Sequence, residues 1–427
     1  MPSSLRPVWL KNVPDSWPTV PLGSLFRERN ESTTALLDPP LSVTKSGVVD
    51  QLDQVAVSVD GAPKKRVHQG DIVINSRSDR KGSAGISPRS GSVSIINTVL
   101  IPERIDSRFA HHLIRSTGFQ EEFYRFGSGI VADLWSTRWS AMKNISLPTP
   151  PATEQKRIAD YLDHETAEID AFINDQTTFS ELLSERDITT MALVRDSTSH
   201  SAPLRRFGSI TLGKMVPSTR AGEAALSGLI MQPYLRAASV QPQGLLVLDE
   251  NIKEMPFTPT ESRNLTLHRN DVVVVEGGAG FGRSAVLDRD LPGWGFQNSI
   301  NRIRLFPNAA DPYFIHYNLQ LMLALSELDI VVNQATIPHL TAEKLASCPI
   351  AHRPLEQQKQ ISGAIRSELD RNNALRADIQ ASIALARERR AALITAAVTG
   401  QIDVTARNKP AAEQLEDDIA QGLHREN

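Results

Sequence analysis

A single cysteine in 427 residues, Cys348, leaves no intramolecular disulfide and no thiolate cluster for structural zinc, a usage that fits a reducing compartment. Cys348 itself reads as a small buried apolar residue. No eighteen-residue apolar run occurs, and the opening MPSSLRPVWLKNVPDSWP lacks the apolar stretch of a secretion signal. Neither membrane spanning nor secretion is expected, and the expected compartment is the cytoplasm. The ten histidines show no HExxH or related ligand spacing, so no metal site is assigned.

Complete catalytic motifs are missing too. GGAGFGR (Gly277 to Arg283) has the glycines of a phosphate loop, but a Walker loop needs GxxxxGK[ST], and a dinucleotide loop needs a following helix and a distal acid. The following Ser284-Ala285-Val286 reads as a returning strand, which makes the glycines a hairpin turn. LLDPPL (Leu36 to Leu41) comes near the (D/N)PP(Y/F) signature of amino-methyltransferases. Leu41 cannot stack on a flipped base as the aromatic does there, and no glycine motif for S-adenosylmethionine precedes it.

What the chain has instead is an echo. PATEQKRI (Pro151 to Ile158) returns as PLEQQKQI (Pro354 to Ile361), an offset of 203 that also carries Glu165 to Glu368 and Glu185-Arg186 to Glu388-Arg389. Upstream, VHQGDIVI (Val67 to Ile74) resembles LHRNDVVV (Leu267 to Val274), and Ser83-Ala84 meets Ser284-Ala285. Pro102, Phe109 and His111 meet Pro307, Phe314 and His316 with a small drift that loop insertions explain. The chain is two copies of one long unit, roughly 17–200 and 203–405.

Each copy has two textures. From Ile158 the positions Leu162, Glu165, Ile169, Phe172, Gln176, Phe179, Leu183, Arg186, Thr190 and Leu193 step by fours and threes, the seam of a coiled coil. The second copy gives Ile361, Ile365, Glu368, Asn372, Leu375, Ile379, Ser382, Ala386, Arg389, Leu393 and Ala396. Pro151 and Pro354 mark the helix starts, and each helix can run about forty residues, about 60 Å. Neither seam is apolar enough to stand alone. The simplest arrangement pairs the two helices antiparallel; the alternative folds each onto its own globular domain. The remaining parts, with β-branched runs such as DIVI, SVSII and DVVVV between Gly, Pro, Asn and Asp, predict a mixed α/β (α+β) domain with mostly antiparallel sheets and long loops. Helices are suggested at Phe109 to Phe123 and Pro312 to Glu327.

Charge is divided unevenly. The net −3 conceals an excess of +4 over residues 1–150 and −7 over 151–202, with balance over 203–350 and 351–427. Arginine outnumbers lysine 34 to 12, and arginine offers a planar fork for phosphate and guanine edges.

Two variable α/β domains alternating with two long helices, each opened by Pro-x-x-[EQ]-Q-K-x-Ile, resemble the specificity subunit of a Type I restriction-modification system. The GDIV-like strands at Gly70 and Asn270 and the ending AAVTGQID (Ala396 to Asp403) carry the likeness further, over nearly the whole chain. The first copy lacks a VTG equivalent at Met191 to Ser197, and Asn270 replaces a glycine. The resemblance implies target-recognition domains at 1–150 and 203–350, helical spacers at 151–202 and 351–405 forming an antiparallel coiled coil with an internal pseudo-twofold repeat, and a polar tail at 406–427. It implies no catalytic activity and no cofactor in this chain, with SAM, ATP and Mg only in partner subunits. The implied partners are double-stranded DNA with a bipartite target, two methyltransferase (M) subunits and restriction/translocase (R) subunits, with adenine methylation or restriction directed by the sequence each domain reads.

The candidate DNA-binding residues are Arg77, Arg80 and Lys81 in SRSDRKGS, Arg283 in the matching glycine-rich loop, Lys64, Lys65 and Arg66 in PKKRVH, and Asn333, Gln334 and Thr336. Gly127-Ser128-Gly129 is a further loop candidate. Gln155, Lys156, Arg157, Gln358 and Lys359, at the helix openings, are candidates for partner docking. A stand-alone DNA-binding regulator or a protein-binding scaffold are the alternative functions; only DNA binding through several phosphates would weaken steeply with salt.

Overall fold

The computed structural model describes residues 7–404 except 52–61, 78–79, 130–134, 196–199, 216–227, 249–251 and 333–337. Asn333, Gln334, Thr336 and the 406–427 tail thus lie outside the described residues. The chain divides into two units, the first formed by residues 1–176 and 380–427, the second by 177–379. The unit boundary falls within both long helices, Ala152–Met191 and Leu355–Val398.

The first unit is built on a four-stranded antiparallel sheet in the order Phe26–Glu28, Asn97–Pro102, Ile72–Asn75, Ala84–Ile86. Ile72, Val73 and Ile74 are all buried because the strand is covered on both faces. Ile72 and Ile74 enter the main core with Phe109, Leu113 and Phe119, whereas Val73 joins a smaller core with Val67, Val93 and Val99. A strand covered on both sides reads as a continuous apolar run. The smaller core is closed by a second sheet of Ser32–Thr33, Lys64–Val67 and Gly91–Ser94, and by the hairpin Leu41–Thr44/Gly47–Asp50. Helix Ser107–Arg115 packs on the main sheet, and the Asp106 carboxylate caps it by accepting from the N–H groups of Arg108 and Phe109, both at 3.0 Å. In the same unit Ile158, Ala159 and Leu162 of the first long helix share that core with Ile394, Ala397 and Val398 of the second. Asp170 meets Arg390 at 2.9 Å, so the two helical segments run antiparallel.

The second unit repeats the plan with Gly208–Leu212, Ile300–Leu305, Val272–Val275 and Ser284–Val286 in the same order. Val272 and Val274 face one core, Val273 and Val275 another. An added sheet of Glu254–Phe257, Ile230–Leu235 and Gly295–Phe296 includes one parallel pairing, between the last two strands. Helix Pro312–Ala324 takes the place of Ser107–Arg115 and is capped by Asp311, which accepts from the Phe314 N–H at 3.0 Å. Ile188 and Met191 of the first long helix, with Val194 in the 3-10 turn that follows it, pack with Ile361, Ile365 and Leu369 of the second, against Phe314 and Leu321. Cys348 is buried, as its lone occurrence suggested, and burial pushes its thiol up to about 12.

Each long helix therefore packs both on its neighbour helix and on an α/β domain, so the two arrangements weighed from the sequence coexist. The predicted seam needs one correction. Leu162, Ile169 and Leu183 are buried as expected, but the alternate set lies one residue later: Thr166 and Val194 are buried, whereas Phe172, Phe179 and Leu193 are exposed. The second helix shifts the same way, burying Ile383 and Ile394 and exposing Leu375. Polar side chains, Thr166 and Asn372, take buried positions there. At one such layer Asp187 ion-pairs with Arg376 and accepts from Asn372 Nδ2 at 2.7 Å.

The turn before the central strand is duplicated with different residues. Asp71 and Asp271 accept from the N–H of His68 and His268, both at 2.8 Å, and are neutralised by Arg29 and Arg304. Gly70 has φ +89° and Asn270 has φ +70°. Asparagine is among the few side chains that tolerate this left-handed region, so it can stand where the first copy has glycine.

Candidate nucleic-acid interface

The stretch PKKRVH contributes the central strand, Lys64–Val67, of the smaller sheet. Lys65 lies 3.5 Å from Glu28, and Arg66 lies 2.9 Å from Asp38. The Thr33 hydroxyl, with Arg66, holds the Asp38 carboxyl below its usual range. Of the three, Lys64 has no side-chain partner among the described residues.

The loop after Ile72–Asn75 is a hairpin closed by Asn75 N–H to the Ser83 carbonyl at 2.9 Å. The glycine loop of the second unit closes the same way, Val275 N–H to Arg283 carbonyl at 2.8 Å, around a single turn at Gly278–Gly280. It is a hairpin, as its sequence suggested, and Gly278 and Gly282 both have φ +73°. Lys81 is pinned by Glu121 at 2.5 Å and lies over the Tyr124 ring at 5.6 Å, and Tyr124 stacks on Trp135. Arg80 is exposed. Arg77 and Arg283 carry no side-chain partner among the described residues.

The Arg77 strand end is joined to a segment sixty residues away. Arg77 bridges Ser136, and the Thr137 N–H donates to the Ser76 carbonyl at 2.9 Å. This brings Arg138, exposed and likewise unpartnered among the described residues, to the rim of the same groove of about 620 Å³ as Arg77. Arg138 was missed in the sequence. In the second unit Gly277 bridges His339 and the Leu340 N–H donates to the Glu276 carbonyl at 2.8 Å. The frame is the same, with Glu276 at the Ser76 position; burial pushes its carboxyl up against the pull of His339, 3.7 Å away.

The helix-opening glutamines are buried rather than presented to solvent. Gln155 and Gln358 are 4% and 1% exposed. Gln155 accepts from the Asp106 N–H at 2.8 Å and donates to the Pro150 carbonyl at 2.8 Å. Gln358 accepts from the Asp311 N–H at 2.9 Å and donates to the Arg353 carbonyl at 2.8 Å. Both amides are spent on the backbone of their own unit, clamping the capped helix to the long helix. Lys156 and Arg157 remain exposed, and Lys359 pairs with Glu356 at 2.8 Å.

Among the described residues no helix is long and apolar enough to cross a membrane, and no histidine, cysteine and acid cluster could hold a metal ion.

Residues 230–385 match the family profile of the Type I restriction modification DNA specificity domain. No curated protein matches the sequence. Among solved structures, a chain described under complex assembly and conformational transition of the type I R-M system aligns over 91% of this chain and 99% of its own, with a TM-score of 0.67 and 16% identity. The HsdS subunit of Thermoanaerobacter tengcongensis aligns over 91% and 98%, with a TM-score of 0.47 and 16% identity. The S subunit of M. genitalium aligns over 90% and 96%, with a TM-score of 0.38 and 13% identity. The first of these shares the fold.

Proposed function

We propose that the chain is the DNA-specificity subunit of a type I restriction-modification system, each unit contributing a domain that reads half of a bipartite target. The family match of residues 230–385 carries this reading. The first unit comes under it because it repeats the second unit's strand order, capped helix and glutamine clamp. The domains span 1–150 and 203–350, and the helical segments between and after them receive two methyltransferase subunits, with restriction/translocase subunits joining that core. The chain itself performs no chemistry: SAM, ATP and Mg belong to the partners, and the assembly works in the cytoplasm.

Co-expression with the methyltransferase partner, purification, and methylome sequencing of the host test the reading together. The expected result is a stable complex with two methyltransferase subunits per chain and adenine methylation at one bipartite sequence, absent without this gene. A chain that methylates DNA alone, or a methylome indifferent to its deletion, overturns it. DNA binding by the complex should fall steeply with added salt, as contacts to several phosphates require.

A further inference from the structure

The groove between the Ser76-Arg77 strand end and the Ser136–Trp139 segment gathers two arginines. Lys65, Arg66 and Lys81 are each committed to a carboxylate, whereas Arg77 and Arg138 reach the same groove with no side-chain partner among the described residues. Among the described residues, the one carboxylate lining the groove, Glu28, is already paired with Lys65. Asn97, 5% exposed, lines it too, with its Oδ1 lacking a partner among the described residues. The position is fixed by the backbone bridge Arg77 to Ser136 and by Ser76 Oγ to Thr98 Oγ1 at 3.0 Å, so the two guanidinium groups spring from sheet and bridged backbone.

A guanidinium offers two parallel donors, and guanine is the base whose major-groove edge presents two adjacent acceptors, N7 and O6. We propose that Arg77 and Arg138 are specificity-determining residues of the first unit, at least one of them reading a guanine in the half-site that this unit meets. The inference rests on the specificity-subunit reading above. The second unit supplies an internal contrast. Its equivalent frame carries Glu276, Gly277 and Thr341 where the first has Ser76, Arg77 and Arg138, so the fork is absent and an acceptor is present. Its half-site is not read through this guanine contact.

The test uses the complete complex in its host, with Arg77→Lys, Arg138→Lys, Arg77→Ala and Arg138→Ala variants. Lysine keeps the charge and loses the fork, and it is the conservative variant should alanine impair folding. The expected methylome shows one guanine of one half-site become degenerate in the lysine variant of the reading residue, with the other half-site unchanged. Binding to the original target should fall about 10- to 100-fold while binding to DNA altered at that guanine is retained. Unchanged methylomes in both lysine variants overturn the inference. So does a uniform loss with alanine that lysine restores, since that marks a phosphate contact. A wild-type complex with no bipartite target at all overturns the underlying functional reading instead.

Discussion

At the scale of single residues, the repeated phrase around Gln155 and Gln358 is a structural clamp. The echo was legible in the sequence, but its role was not, because a glutamine in the first turn of a helix reads as surface. Only the fold brings Asp106, forty-nine residues earlier, against it. Gln155→Leu strips partners from the half-buried Asp106 N–H and the buried Pro150 carbonyl, and should cost about 2 kcal/mol in a denaturant titration, with Gln358→Leu costing the second unit the same. A loss below about 0.5 kcal/mol in both would mean that water replaces the amide. One half-buried histidine, His111, and one buried histidine, His316, add a pH term. Desolvation, with Arg115 nearby, lowers His111 to about 3, and desolvation lowers His316 to about 4, from 6.5 in the unfolded chain. Between those values the unfolded chain binds more protons, so stability falls as pH drops below 6.5, by about 1.4 kcal/mol per pH unit for each histidine. His316→Gln should flatten that slope in thermal melts between pH 6.5 and 4.

At the scale of elements, the long helices and the apolar central strands were readable because their periods are strong. The seam was read one residue off at alternate layers because large apolar side chains, Phe172 and Phe179, drew the assignment toward themselves. The buried positions go instead to Thr166 and to polar groups that pair across the seam. Asp187 shows the consequence: its carboxylate is held by Arg376 and Asn372 with little exposure. Asp187→Leu should destabilise the second unit by about 2 kcal/mol, since it strands a half-buried guanidinium. Pairing it with Arg376→Leu should recover most of that loss, which a double-mutant cycle would measure. The strand Lys64–Val67 was read as a basic cluster with no fold assigned, and its carboxylate partners come from segments distant in sequence. Arg138 was illegible for the same reason: its place beside Arg77 depends on a strand bridge that spans about sixty residues.

At the scale of the whole molecule, the repeat predicts modular reading. Replacing residues 17–150 with the matching domain of a relative should change one half-site of the methylome and leave the other half and the spacing intact. Inserting four residues at Thr177 together with four at Gln380, where the unit boundary crosses the two helices, lengthens the spacer by about 6 Å, or roughly two base pairs. The tolerated spacing should change and both half-sites should not. A swap that scrambles both halves would instead point to one composite reading surface.

That boundary also sets an order of events during synthesis. The second unit is contiguous, 177–379, and can close its cores as soon as it leaves the ribosome. The first begins earlier yet waits for Ile394, Ala397 and Val398, which arrive more than two hundred residues after the Leu162 layer they cover. A nascent chain interrupted before residue 394 would carry one finished domain and one with a greasy face open to chaperones and proteases. Only a ribosome that reads on through these residues completes the domain it started first.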